Sequence, residues 1–428
     1  MAVMSIGNLA ITENPIYKLV RYLIIAAGIG IYMIALKSSG THNMDYYILW
    51  TSSFIHGKLF DLYHVSEATK SITSTNLTVP YTPFSLYIIG LFTKILFIFV
   101  QENSLNYIIA INLTCTLFTI GTFFLLRKLA ITRKIISPYF YLFSPTVILA
   151  TPILGYQDSI MTFFILLTIF FVERQRIILS GIFGSLAIMS KQLALMPILA
   201  VVIILFLRIN HKKKGVFSLA FFLTTTTVLS PFIISGHAIE YFRAQALTSI
   251  HTMLSAGAAN FPWLFSICVR IVRNGLSAGM TNGGSLFVLE PQILRQIVYI
   301  SLGIFCFSLF ILWIKRELSS KIELNYFKAA CVMLLSYYLF SAGVHENHIF
   351  SILALSFMLT NSRKQIVIYG LLSAATFANL LINYGFGRSL GNLGQIANSN
   401  HLIYQFIIIL CFIIYLGSFL KIYQKSEK

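Results

Sequence analysis

Acid is the scarcest thing in this chain. Aspartate occurs three times in 428 residues, as Asp45, Asp61 and Asp158, and Asp and Glu together number 13 against 31 Lys and Arg. Charged residues of either sign make up only 10% of the sequence. A soluble domain carries about a quarter, so a soluble fold of this length is excluded. The five cysteines (Cys115, Cys268, Cys306, Cys331 and Cys411) have no metal-ligand spacing. Most of them fall in apolar runs, where cysteine acts as a small hydrophobe. No internal repeat and no low-complexity stretch is present. Ten-residue alternating strands are also missing, which excludes a β-barrel.

What is present is apolar. Hydrophobic residues reach 57% of the chain, and mean hydropathy is +0.82. The composition reads as an all-α polytopic membrane protein, one integral membrane domain over 1–428. Apolar runs predict twelve spans: 19–36, 107–126, 135–152, 159–172, 177–190, 192–207, 215–235, 295–314, 326–342, 349–360, 365–383 and 402–420. The run from Leu19 follows polar residues without a small-residue cleavage site and reads as a retained first span.

The net charge of +18 invites a nucleic-acid reading. No basic stretch carries the interleaved aromatics that such binding uses, so nucleic acid is not an expected partner. Basic residues instead mark cytoplasmic loops. The N-terminus, RKLAITRK (127–134), ERQR (173–176), RINHKKK (208–214), KRELSSK (315–321) with Lys328, SRK (362–364) and the C-terminus hold 21 of the 31 Lys and Arg. This bias holds if the run 83–100, which contains Lys94 and begins between Pro80 and Pro83, lies at the membrane interface. Two long non-cytoplasmic loops follow, 37–106 and 236–294. They head two modules, 1–235 and 236–428.

An ionisable group at membrane depth is costly and usually functional. Asp45 ends the approach to the first long loop in HNMDYYILW (42–50), placed for general-base work or as an interfacial residue. Asp61 reads as structural. The break LGYQDS (154–159) offers Gly155, Tyr156, Gln157 and Asp158 either to substrate or as a helix cap. Lys191 stands in the turn MSKQLALMP (189–197), able to meet a phosphate or to snorkel. The runs 159–172 and 177–190, both starting from ERQR, are each 14 residues. Each rises about 21 Å of a roughly 30 Å hydrocarbon core. Asp158 and Lys191 are therefore predicted at similar, recessed depth. VHENH (344–348) packs three ionisable residues into five positions. Its spacing is not the i, i+4 pair of a zinc protease, so phosphate or sugar binding outranks a zinc site at His345 and His348. The second loop adds Arg243 and AGAANFPWLF (256–265), which offers an aromatic for stacking on a sugar.

Taken in order, these segments resemble the GT-C superfamily of membrane glycosyltransferases. They look most like the glucosyltransferases that use dolichyl-phosphate-glucose on the N-glycan precursor. The resemblance rests on Asp45-Tyr46, Tyr81-Thr82-Pro83, Gly155-Tyr156-Gln157-Asp158, Lys191-Gln192, Ala259-Asn260 with Trp263, and Val344-His345-Glu346. It departs where Thr82 replaces a proline and where Asn347-His348 follows the glutamate. The tetrapeptide YQDS is closer to a pattern of bacterial polyprenyl-phosphate-sugar enzymes.

The resemblance implies a GT-C-like fold and an inverting hexosyl transfer from a polyprenyl phosphate to a lipid-linked glycan or other acceptor. Asp45 is then the expected base, and Asp158 and Gln157 hold sugar hydroxyls or orient the acceptor. Lys191, Arg243, His345 or Arg388 offset phosphate charge, and Tyr81, Tyr156, Gln192 and Glu346 complete the binding residues. No cofactor and no metal are expected, and the setting is a bacterial inner membrane or the endoplasmic reticulum, with the site facing away from the cytoplasm. The rival readings are a flippase for lipid-linked sugar, and a surface-polysaccharide polymerase or ligase using loop arginines.

Overall fold

A computed structural model describes residues 15–41, 43–63, 79, 81–133, 135–248, 254–279, 292–319, 324–387 and 401–424. The described chain is helical apart from short connections and one two-residue strand pair. The first half contains α1 (Pro15–Ala35), α2 (Asn43–Ile55), α3 (Pro83–Phe97) and α4 (Ser104–Arg133). Two four-residue helices follow, α5 (Tyr139–Leu142) and α6 (Pro145–Ile148), then α7 (Asp158–Glu173), α8 (Ile177–Ser190), α9 (Leu195–Arg208) and α10 (His211–Ile234). The second half contains α11 (Ala238–Thr248), α12 (Phe261–Gly279, broken at Gly275), α13 (Gln292–Ser319) and α14 (Tyr326–Phe340). It closes with α15 (Phe350–Phe357), α16 (Arg363–Tyr384) and α17 (His401–Tyr423).

Five of these helices are long and apolar enough to cross a bilayer among the described residues: α4, α10, α13, α16 and α17. The protein is an integral membrane protein by this measure. Helices α7, α8, α9 and α14 are shorter, at 14 to 16 residues. Helix α7 is apolar nearly all round, and 12 of its 16 residues are buried. A helix of that kind belongs inside a protein rather than against solvent. It packs on α4, α8 and α15, and α9 packs on α14, so the two halves share one core.

The helix ends sort into two sets. One end of the bundle gathers the basic groups at the close of α4, α7, α9 and α13; Arg133 pairs there with Glu173, and Lys328 bonds Glu317 at 3.0 Å. The opposite end gathers Asp158, Ser190, Phe340 and Tyr384, and is called here the site end.

Two predicted spans differ in form. Residues 135–152 are not one helix but α5, α6 and a π-helical turn, Leu149–Ile153, containing Pro152. Pro138, Pro145 and Pro152 each remove a backbone donor at close intervals. The span predicted at 349–360 is an eight-residue α15 entered through a 3-10 turn, Glu346–Ile349. The run 83–100, read as an interfacial piece, forms α3, which packs antiparallel against α4. At its start Phe84 meets Phe164, which also meets Phe118; at its end Phe97 meets Tyr107. Thr82 Oγ1 donates to the Ile188 carbonyl at 3.0 Å and Ser85 Oγ to the Ser190 carbonyl at 2.8 Å. The helix thus begins deep, beside the end of α8.

Candidate functional site

The site end is assembled from helix breaks. After the π-helical turn the chain reverses at Gly155, whose φ is 71°. A Cβ there would lie 2.4 Å from Met44 Cε and 2.8 Å from Asn112 Oδ1. Only glycine suits both the left-handed backbone and the space. This reversal sets Tyr156, Gln157 and Asp158 at the mouth of α7.

Asp158 is 1% exposed. Its carboxylate does not cap the helix; no side-chain cap is present at that terminus. Lys191 Nζ donates to both oxygens, at 2.9 and 3.0 Å, and Asn347 Nδ2 donates to Oδ2 at 2.9 Å. Lys191 closes α8 in extended conformation, φ −160° and ψ 131°. That kink directs the chain into the 3-10 turn Gln192–Ala194 before α9 begins. The ammonium also lies 5.4 Å from the centroid of the Tyr81 ring. The pair is buried, bidentate on the carboxylate and supported by an amide, the arrangement in which buried charges are tolerated.

The second part of the cluster surrounds Glu346, which is 2% exposed. Its Oε1 accepts from Tyr156 Oη at 3.1 Å and Tyr384 Oη at 2.6 Å. Burial raises the Glu346 pKa, opposed by these hydroxyls and by Lys191. His345 is partly buried, and burial with the nearby Lys191 charge lowers its pKa to about 4. It is therefore neutral at pH 7 and can act as a hydrogen-bonding imidazole. The backbone N–H of His345 donates to His348 Nδ1 at 3.3 Å. The two rings lie 5.3 Å apart by centroid. No group of three His, Cys, Asp or Glu suited to a metal occurs among the described residues.

The loop before α12 joins this cluster through backbone. Ser255–Ala256 (β1) pairs in parallel with Val344–His345 (β2). Gly343 N donates to the Leu254 carbonyl at 2.9 Å. Asn260 Oδ1 accepts from Trp263 N at 2.9 Å and starts α12. Of the aromatics in 256–265 offered for stacking on a sugar, Trp263 is buried in the core, while Phe261 and Phe265 are exposed.

A narrow crevice opens beside the ion pair between α2 and α3. Tyr47, Trp50, Thr51, Val79, Tyr81, Thr82, Leu86 and Gln157 line it. Trp50 meets Tyr81 edge-on at 5.9 Å.

Of the expected residues, Tyr81, Tyr156, Asp158, Lys191, His345 and Glu346 come together, and Gln157 lines the adjoining crevice. Gln192 is a step away: it donates to Gln245, which in turn donates to the Val79 and Tyr81 carbonyls at 3.2 and 3.3 Å. Its role is to hold the Tyr81 segment. Asp45 stands exposed on the first turn of α2, two residues before Tyr47. Arg243 is exposed on α11, and no contact described here joins it to the cluster. Arg388 lies outside the described residues. Sequence reasoning did not single out Asn347, Tyr384, Trp50 or Gln245. Asn347 sat inside a motif already marked, but Tyr384 and Gln245 had only their places at helix ends. The chain matches no protein-family model and no curated protein.

Proposed function

We propose that this protein is an inverting glycosyltransferase that moves a hexose from a polyprenyl-phosphate donor to a lipid-linked glycan or other acceptor. The observation that carries the reading is convergence. Segments 81–83, 155–158, 191–192, 254–260 and 344–347 are far apart in sequence and meet at one end of the bundle. Core packing alone gives no reason to gather a buried ion pair, a hydrogen-bonded carboxylate and a neutral imidazole there. A polar pocket inside an apolar bundle suits a polar headgroup on an apolar tail.

In the proposed reaction the acceptor hydroxyl oxygen attacks the anomeric carbon. The bond from that carbon to the phosphate oxygen breaks, and its electron pair leaves with the polyprenyl phosphate. Asp45, exposed to an incoming acceptor, takes the hydroxyl proton. Lys191 and the His345 imidazole face the phosphate as its charge grows. Asp158, Gln157 and Glu346 hold hydroxyls, Tyr81 and Tyr156 wall the sugar, Gln192 supports the Tyr81 segment through Gln245, and Arg243 acts from the rim. The basic end faces the cytoplasm by the positive-inside bias. The site end then faces away from it, in a bacterial inner membrane or the endoplasmic reticulum. The twelve-span GT-C topology belongs to this proposal.

A second reading, a flippase for lipid-linked sugar, draws on one observation: a buried ion pair at broken helices also suits a transport path. One experiment separates the two. Purified protein is given a panel of polyprenyl-phosphate sugars with candidate acceptors, and Asp45→Asn is run beside it. We expect release of polyprenyl phosphate by wild type and a loss of about 100-fold or more in the variant. No turnover of any donor, with lipid-linked sugar still crossing reconstituted vesicles, overturns the enzyme reading in favour of the flippase.

A further inference from the structure

A second polar cavity lies at the basic end, remote from the cluster just described and used by no step above. It opens among the last turns of α4, α7 and α9 and the start of α14. Arg133, Glu173, Gln175, Arg208, Leu324, Asn325 and Tyr326 line it. Its volume is about 540 Å³, within the range of small-ligand sites. We propose that this cavity binds a phosphate anion of the kind carried by acidic phospholipid headgroups.

The charge balance favours an anion. The lining holds two guanidinium groups and one carboxylate, and Lys212, Lys213 and Lys214 follow Arg208 within six residues. An arginine in a last turn is ordinary where it only faces its own helix end. These two do more. Arg133 crosses to Glu173 on α7, and Arg208 Nη2 donates at 2.7 Å to the Leu324 carbonyl ahead of α14. Each is also seated on a ring: Arg133 lies 4.9 Å from the Phe327 centroid and Arg208 5.0 Å from that of Tyr326. A guanidinium seated over an aromatic face is restrained, and its planar fork of donors matches phosphate oxygens.

The rim has a matching feature. Gln175 holds φ 57°, the one non-glycine residue at positive φ among the described residues. Its neighbour Arg176 N bonds the Phe171 carbonyl at 2.9 Å, so Gln175 fills the helix-end position where glycine is usual. Glycine there spares backbone strain; glutamine instead brings an amide to the cavity. Placement points to lipid. Candidate spans α4 and α10 end at Arg133 and begin at His211, among the basic residues Arg127, Lys128 and Lys212 to Lys214. Arg133 and Arg208 thus stand at the basic end of the bundle, the kind of place where basic pockets between helices bind acidic lipids.

The test uses the full chain in nanodiscs. Its melting temperature is read in pure phosphatidylcholine, in phosphatidylcholine with added phosphatidic acid, and in phosphatidylcholine with soluble inorganic phosphate. We expect phosphatidic acid to raise it by mass action. Arg208→Gln is expected to melt lower than wild type in phosphatidylcholine, having lost its bond to Leu324, and to lose most of the rise. Lys364→Gln, a cation at the same end but outside the cavity, is expected to keep it. An equal rise with inorganic phosphate alone supports the phosphate site and assigns it to a soluble ligand. Should Arg208→Gln fail to fold, Arg208→Lys decides, since it keeps the charge and loses the fork; a clearly reduced rise supports the site. No rise with either phosphate source, or a rise that Arg208→Gln or Arg208→Lys retains in full, overturns the proposal.

Discussion

At the scale of single residues, the Asp158–Lys191 pair governs the site end. Two charges buried in an apolar bundle hold only together. Removing one leaves the other unpaired, which costs about 3–5 kcal/mol. Asp158→Asn and Lys191→Met are each expected to lower stability by that order in chemical melts. The double variant should recover a large part of the loss, because neither charge then remains; a double variant as unstable as the sum would show that the pair is not coupled. The same residues show what sequence can and cannot tell. Equal run lengths from one basic turn place Asp158 and Lys191 at one depth, and they meet at 2.9 Å. That the Lys191 ammonium points at the Asp158 carboxylate depends on helix rotation, which run length does not encode. Asn347 was hidden for the same reason, 189 residues from the carboxylate it serves.

Residue chemistry also sets a pH dependence. His345, in the connector between α14 and α15, has its pKa lowered from 6.5 to about 4 by burial. The unfolded chain then binds this proton more readily than the folded one. Stability is intact above pH 6.5 and falls as the pH drops from there toward 4. Glu346 runs the other way: its pKa is raised from 4.5, again by burial. Its contribution is present below pH 4.5 and is lost as the pH rises through the folded value. Between pH 6.5 and 5 a melting series of His345→Gln should therefore fall less steeply than wild type. Parallel curves would remove His345 as the source of acid sensitivity.

At the scale of elements, the breaks matter more than the helices. Helix α7 starts where it does because Gly155 reverses the chain against Met44 and Asn112. Gly155→Ala is expected to destabilise by more than the roughly 1 kcal/mol of a left-handed alanine, since a Cβ also clashes. Helix α8 closes on α10 through Gly181, where a Cβ would meet the Phe217 carbonyl at 2.7 Å. The Thr82 hydroxyl ties the start of α3 to the Ile188 carbonyl. Thr82→Val should cost about 1 kcal/mol by thermal melt. Most long helices were legible as apolar runs. The antiparallel packing of α3 on α4 was not, because charge bias constrains which loops face the cytoplasm and says nothing of which helices pair. Nor was the division of 135–152, where hydropathy is continuous but three prolines interrupt the backbone.

At the scale of the molecule, the basic and polar ends are opposed, and this polarity is the frame for both proposed sites. Single cysteines at Lys212 and at Gln101 are expected to react with impermeant thiol reagent from opposite sides of the membrane; labelling of both from one side would contradict the two-ended bundle. The clearest whole-molecule signal in the sequence was acid poverty, which made Asp45 and Asp158 conspicuous. Folding separates their settings: Asp158 lies in a buried pair with Lys191, and Asp45 stays exposed on α2. The central claim is that the exposed aspartate performs proton transfer beside a binding cluster. The most direct measurement is single-turnover release of polyprenyl phosphate at saturating donor for wild type, Asp45→Asn and Lys191→Gln, with donor binding measured on the same preparations. We expect Asp45→Asn to bind donor as wild type and to lose turnover about 100-fold or more, while Lys191→Gln weakens donor binding. Wild-type turnover by a folded Asp45→Asn protein would contradict the account.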